Sequence, residues 1–326
     1  TDAAGNESPQ SAALPLTVDT AAPAAPTGVT VTDDVAPVTG AIAANGASND
    51  NKPTFAGAAG SAEAGSTITV MDGATVLGTA VVAADGSWSV TPTTALADGA
   101  HSITTRATDA AGNVSPVSPA LALTVDTAAP AAPAAPTSTA PSTNDNTPGI
   151  HIGVGLTDTP SLYVDGVKVP ATYDPVTGTL TPTTPLGDGV HQFTTTLTDA
   201  AGNESPQSAA LPLTVDTAAP AAPTGVTVTD DVAPVTGAIA ANGASNDNKP
   251  TFAGAAGSAE AGSTITVMDG ATVLGTAVVA ADGSWSVTPT TALADGAHSI
   301  TTRATDAAGN VSPVSPALAL TVDTAA

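Results

Sequence analysis

The feature that most constrains this chain is internal duplication: Thr1–Ala129 recurs residue for residue as Thr198–Ala326. Identical segments of this length fold as identical units, so the sequence describes a tandem array. The phrase TDAAGN stands at Thr1, Thr108, Thr198 and Thr305, and each copy is followed by LTVDTAA. Taking the aspartate of VDTAA as the start of each unit, modules open at Asp19, Asp126 and Asp216, which are 107 and 90 residues apart. Those are sandwich-domain sizes. The organisation expected is 1–18 as the C-terminal fragment of a preceding module, 19–125 as a long module, 126–215 as a short one, and 216–326 as a second long module. The opening fragment has too few strands to fold alone, and the chain reads as a segment of something longer.

Glycine (31) and proline (28) punctuate the chain too often for long helices. Two tryptophans, two tyrosines and three phenylalanines suit several small cores better than one large one. In the first long module, strands are expected at Gly28–Thr32, Lys52–Gly57, Ser66–Met71, Thr75–Val82, Ser87–Val90, Ala100–Thr108 and Ala120–Val125. Asp72-Gly73 and Asp98-Gly99 supply turns. Seven short strands with this spacing predict an all-β fold, tandem immunoglobulin-like β-sandwich modules joined end to end by Pro-rich linkers such as Asp126–Pro136. In the last strand Leu121, Leu123 and Val125 share one face, which is buried. The corresponding strand of the short module carries Pro212, which points to a sheet edge.

Five Lys and Arg against 29 Asp and Glu leave a formal charge of −24. Such a chain repels nucleic acid and anionic membranes, and cations are its natural partners. No apolar run is long enough to span a bilayer, and the absence of cysteine is compatible with secretion. No nucleophile elbow or phosphate loop is present, so catalysis is not expected. His101, His151, His191 and His298 are scattered, three of them beside an Asp-Gly turn, and read as rim-of-core residues. Trp88 and Trp285 alternate with Val90 and Val287 and read as core filling, and Tyr163 and Tyr173 alone make a poor sugar platform.

The ordered phrases NDNKPTFAG, AEAGSTITVMDG, ADGSWSVTPTTALADGAHSI, TDAAGN and VDTAAPAAP closely resemble the bacterial Ig-like repeats of giant type-I-secreted adhesins, including biofilm-associated proteins and RTX adhesins. The resemblance implies an extracellular, cell-surface extender that projects a ligand-binding tip in adhesion and biofilm formation, with calcium stiffening the module junctions. The short module departs from the pattern, because Pro136–Thr143 replaces the longer loop containing DDVAPVTGAIAANGA.

Sandwich topology places the candidate ligands of such calcium. The loop after the first strand brings Asp33, Asp34 and Asp50 to one end of the first long module; Asp126 lies in the linker and Asp199 in the TDAAGN loop of the next module. Five carboxylates are expected to converge there, with Asn49, Asn203 and backbone carbonyls completing an oxygen shell. Equivalent positions elsewhere are Asp19, Asp109, Asp145, Asp216, Asp230, Asp231, Asp247 and Asp306. The alternative is that these are ordinary turn residues and that TDAAGN is a turn with glycine at positive φ. For Asp72, Asp85 and Asp98 the turn reading is preferred. Neighbouring modules of the same chain are the expected partners; the rival readings are lateral self-association into a filament and a stalk on an extracellular enzyme or carbohydrate-binding protein.

Overall fold

The computed structural model describes residues 1–325; Ala326, the last residue of the second long module, lies outside the described residues. Among the described residues there is no helix, and all regular structure is β. Contacts gather the chain into two compact units. The first is Thr1–Ala132 with Thr157–Thr159 and Leu197–Pro206; the second comprises Pro133–Leu156, Pro160–Thr196 and the chain from Gln207 on.

In the first long module the strands are β1 (Thr30–Asp33), β2 (Gly40–Ala41), β3 (Ala47–Ser48), β4 (Thr54–Gly57), β5 (Thr67–Asp72), β6 (Thr75–Val81), β7 (Trp88–Val90), β8 (Gly99–Thr108) and β9 (Leu121–Val125). They form a four-stranded sheet in the order β2-β1-β4-β7 and a five-stranded sheet in the order β3-β9-β8-β5-β6. Two of these strands were not expected. Within the loop after β1, β2 turns back antiparallel on β1, and β3 crosses to the other sheet to run parallel with β9. Both are two residues long, too short to leave a periodic trace in sequence.

Alternation builds the core. Val31, Phe55, Ile68, Val70, Trp88, Ile103, Leu123 and Val125 are buried, and their neighbours along each strand are half-buried or exposed, except Met71, which is buried beside Val70 where the register of β5 shifts. The core-filling role expected of Trp88 is observed, and it depends on Gly57, where a Cβ would lie 2.2 Å from the indole nitrogen.

The short module, in β10 (Ser142–Thr143), β11 (Ile150–His151), β12 (Thr159–Val164), β13 (Val167–Val169), β14 (Ala171–Asp174), β15 (Thr179–Pro182), β16 (Gly189–Thr198) and β17 (Leu211–Val215), keeps the plan with a smaller first sheet. Its sheets have the orders β11-β15-β14 and β10-β17-β16-β12-β13 around Ile150, Leu162, Leu180, Phe193 and Leu213. The edge assignment for β17 needs correction: β10 covers it at Thr214 and Val215. Pro212 sits beyond that cover, on the half of the strand whose outer side is free. The second long module repeats the first from β18 (Thr227–Asp230) through β26 (Leu318–Val322).

Residues 7–29 carry no strand. Leu14, Leu16 and Val18 are 90%, 84% and 79% exposed, whereas the identical residues Leu213 and Val215 in β17 are 2% and 0% exposed. The same sequence is a core strand only where a partner sheet receives it.

Candidate junction site

Each TDAAGN loop is held by its own aspartate. Asp199 Oδ1 accepts the amides of Ala201 and Asn203 at 2.9 Å, and Oδ2 accepts the Asn203 side-chain amide at 2.9 Å. Gly202 closes the turn at φ +97°, a region that disfavours a side chain. Asp109 and Asp306 make the same three bonds, and so does Asp2 in the opening fragment. The Asn113 side chain holds the Asp109 carboxyl below the usual range; at Asp306 burial opposes ionisation, and the Asn310 donors outweigh it. TDAAGN is therefore a self-contained aspartate turn.

The asparagine of the loop reaches further. Asn203 Nδ2 also donates to the backbone carbonyl of Asp126 at 2.8 Å, Asn310 Nδ2 to that of Asp216 at 2.7 Å, and Asn113 Nδ2 to that of Asp19 at 3.1 Å. The residue after the aspartate is gripped by the preceding module. Asp98 Oδ1 accepts both the amide and the hydroxyl of Thr127 at 3.0 Å, and Asp188 accepts both from Thr217 at 2.9 Å. Asp295 does the same for Thr324. At Asp126-Thr127 and at Asp216-Thr217, two consecutive linker residues are thus tied to the modules on either side.

The predicted acidic residues divide into three groups. Asp33 and Asp50 meet at Ser48, whose hydroxyl donates to Asp33 Oδ2 at 2.5 Å and accepts the Asp50 amide at 3.1 Å. Asp230 and Asp247 meet at Ser245 in the same way. These four are buried, and Oδ2 of Asp50 and of Asp247 has no hydrogen-bond partner. Asp34, Asp231 and Asp145 are exposed, Asp145 capping its own turn at Thr147. Asp19, Asp126 and Asp216 each accept an amide two residues ahead, and Asp109, Asp199 and Asp306 serve the TDAAGN turns. Among the described residues no three of His, Cys, Asp or Glu are grouped so as to hold a metal ion. What does come together in the first unit is Asp33 with Ala200 and Ala201, around a cavity of about 220 Å³, and Gly202 against Val38. In the second unit Ser142 donates to the carbonyl of Ala307 at 2.8 Å.

A family model described as bacterial Ig-like domain matches residues 26–127, 135–217 and 223–324. The chain belongs to the bacterial Ig-like domain family. Solved structures similar over most of the chain include a tetra-tandem repeat in the extending region of a large adhesion protein, at 22% identity over 93% of this chain and 75% of that one, with a TM-score of 0.25. A structure concerned with host cell surface retention of a 1.5-MDa bacterial ice-binding adhesin is 18% identical over 92% and 97%, with a TM-score of 0.27. The BSP domain of a biofilm associated protein is 16% identical over 87% and 67%, with a TM-score of 0.22. Comparison with the curated proteins returned no match.

In these bacterial Ig-like modules, Asp98 has a role beyond the turn expected of it, and Asp188 and Asp295 share that role. Their signal was present: each stands 29 residues before its threonine in long and short modules alike. Asp72 likewise does more than turn a hairpin, since it binds His101 at 2.7 Å.

Proposed function

We propose that this chain is a non-catalytic structural extender of a secreted bacterial cell-surface adhesin, a spacer that projects a binding tip for adhesion and biofilm formation. The observation that carries this reading is the two-sided grip on Asp126-Thr127 and Asp216-Thr217. An array that only tethers has no need to fix its linkers, whereas one that transmits position does. The linker prolines restrict φ in the same direction. The charge of −24 disfavours lateral condensation and folding back.

Calcium is part of the proposal. The orphaned Oδ2 of buried Asp50 and the buried, unpartnered Oδ1 of Asn49 make an all-oxygen donor set that suits a hard divalent cation. Asp50 and Asn49 would supply the free oxygens at the first junction, and Asp247 that of the second long module; Asp33 and Asp230 lie beside them but already accept donors at both oxygens. Asp199 is less suitable, because turn amides and the Asn203 side chain occupy both its oxygens, whereas Asp126 commits only Oδ1, to the Ala128 amide. A bound cation would neutralise these carboxylates and stabilise the folded module by mass action.

Small-angle X-ray scattering of the chain in millimolar calcium and in chelator tests both parts. An elongated monomer that is stiffer with calcium is expected. A globular particle, or a mass above the monomer in calcium, would overturn the extender; identical profiles in both conditions would remove calcium alone.

A further inference from the structure

Each complete module carries a second linkage that ends at the junction clamp. His101 Nδ1 contacts Asp72 Oδ2 and its Nε2 contacts the carbonyl of Ala97, both at 2.7 Å. His298 repeats this with Asp269 and Ala294 at 2.7 Å. In the short module, His191 meets Asp165 at 2.8 Å and the carbonyl of Gly187 at 2.9 Å. The second oxygen of each aspartate accepts the amide that follows the histidine, at Ser102, Ser299 and Gln192, so the carboxylate is fixed from both sides.

The residue after the contacted carbonyl is in every case the clamp aspartate: Asp98 follows Ala97, Asp188 follows Gly187 and Asp295 follows Ala294. A peptide unit is planar, so fixing the carbonyl of residue 187 fixes the nitrogen and Cα of Asp188, the atoms from which the carboxylate that holds Thr217 extends. A histidine ring with an acceptor on each nitrogen can satisfy both only as the doubly protonated cation. The neutral ring has one N–H, and whichever tautomer forms turns a lone pair toward an oxygen. Asp72, Asp165 and Asp269 are the charged groups that face the three rings.

We propose that these histidines are proton-dependent staples that set how firmly each module grips its exit linker, tightening the junction in mildly acidic surroundings and loosening it in alkaline ones. Burial opposes the charge on His101 and His298, but hydrogen bonds to the carboxylate and carbonyl outweigh it and hold the proton above the ordinary 6.5. At His191 the Gly187 carbonyl contributes most to the same upward shift, followed by Asp165. A raised folded-state value means the staple acts in full below pH 6.5 and fades as pH rises through the raised value.

The chain contains its own reference. Thr20 and Thr217 lie in identical stretches, Leu14–Thr30 and Leu211–Thr227, but only Thr217 is held by a clamp aspartate. The ratio of their amide exchange rates, measured by NMR on the whole chain from pH 5.0 to 8.5, cancels the intrinsic pH dependence of exchange. The Thr217-to-Thr20 ratio should rise by about fivefold, the weight of one ordinary hydrogen bond, with the midpoint of the His191 ring titration. In His191→Gln the ratio should be flat, and in Asp165→Asn its midpoint should move to lower pH with the ring. A flat ratio in the unsubstituted chain while His191 titrates, or the same rise in His191→Gln, would overturn the proposal. Should either substitution disturb folding, the comparison of ring and ratio midpoints in the unsubstituted chain decides the matter.

Discussion

Asn203 donates its side-chain amide to the backbone carbonyl of Asp126, 77 residues earlier, while its own backbone amide closes the turn on Asp199. One residue therefore holds both the loop and the linker that enters the module, and at 9% exposure Asn203 itself has little access to water. Asn203→Ala should cost about 1–3 kcal/mol, the penalty of leaving buried polar groups unpaired. Chemical denaturation should register that loss in the short module and leave the second long module unchanged.

Three glycines close the same turn at nearly the same φ: Gly112 at +93°, Gly202 at +97° and Gly309 at +96°. Their surroundings differ. A Cβ at Gly202 would stand 3.0 Å from Val38, one at Gly309 would make ordinary contact with Asn144, and one at Gly112 would meet nothing within 4 Å. All three alanine variants should pay roughly 1–2 kcal/mol for backbone strain. Gly202→Ala should lose about a further 1 kcal/mol from contact with Val38, and the difference between Gly202→Ala and Gly112→Ala in thermal denaturation measures that contact alone.

Gly57→Ala tests the core. With the indole nitrogen of Trp88 2.2 Å from the added carbon, the ring must move, and destabilisation of about 1–3 kcal/mol or more is expected. Loss of the fixed Trp88 environment in fluorescence, with Trp285 replaced by Phe to remove its signal, is the readout.

Acid should loosen the linker clamps. The donors from Thr324 hold the Asp295 carboxyl below its ordinary 3.8, and Asp306 is held low by Asn310 against the cost of burial. Lowered folded-state values mean stability that is complete above pH 3.8 and lost as pH falls through the folded value. A melting temperature that falls steeply below about pH 4 in the unsubstituted chain, and less steeply in Asp295→Asn, is the expected result.

Much of this was legible in the sequence because repetition and alternation are local signals. The tandem modules, the β class and buried Trp88 followed from phrase spacing and period-two patterning. The strands β2 and β3 did not, since two residues show no period. Pro212 misled about the edge because a strand can be covered along only half its length, as β10 covers β17. Reading carboxylates by loop position brought Asp33 toward Asp50, but it did not reveal that Asp199 and Asp126 are committed to amides in their own turns. Asp98 was hidden for the opposite reason: Asp-Gly is so strong a turn signal that its bond to Thr127, 29 residues on, left no mark within any single stretch.

The central claim is that the linker threonine is held by the module before it, and the most direct measurement is amide exchange at Thr217 against Thr20 at one pH, near 6. Their flanking sequences are identical, so their intrinsic rates are equal, and only Thr217 donates to an aspartate, Asp188, at 2.9 Å. Exchange at Thr217 slower by roughly fivefold or more is the expected result. Equal rates at the two threonines would mean that Asp188 does not hold the linker, and the clamp would have to be abandoned.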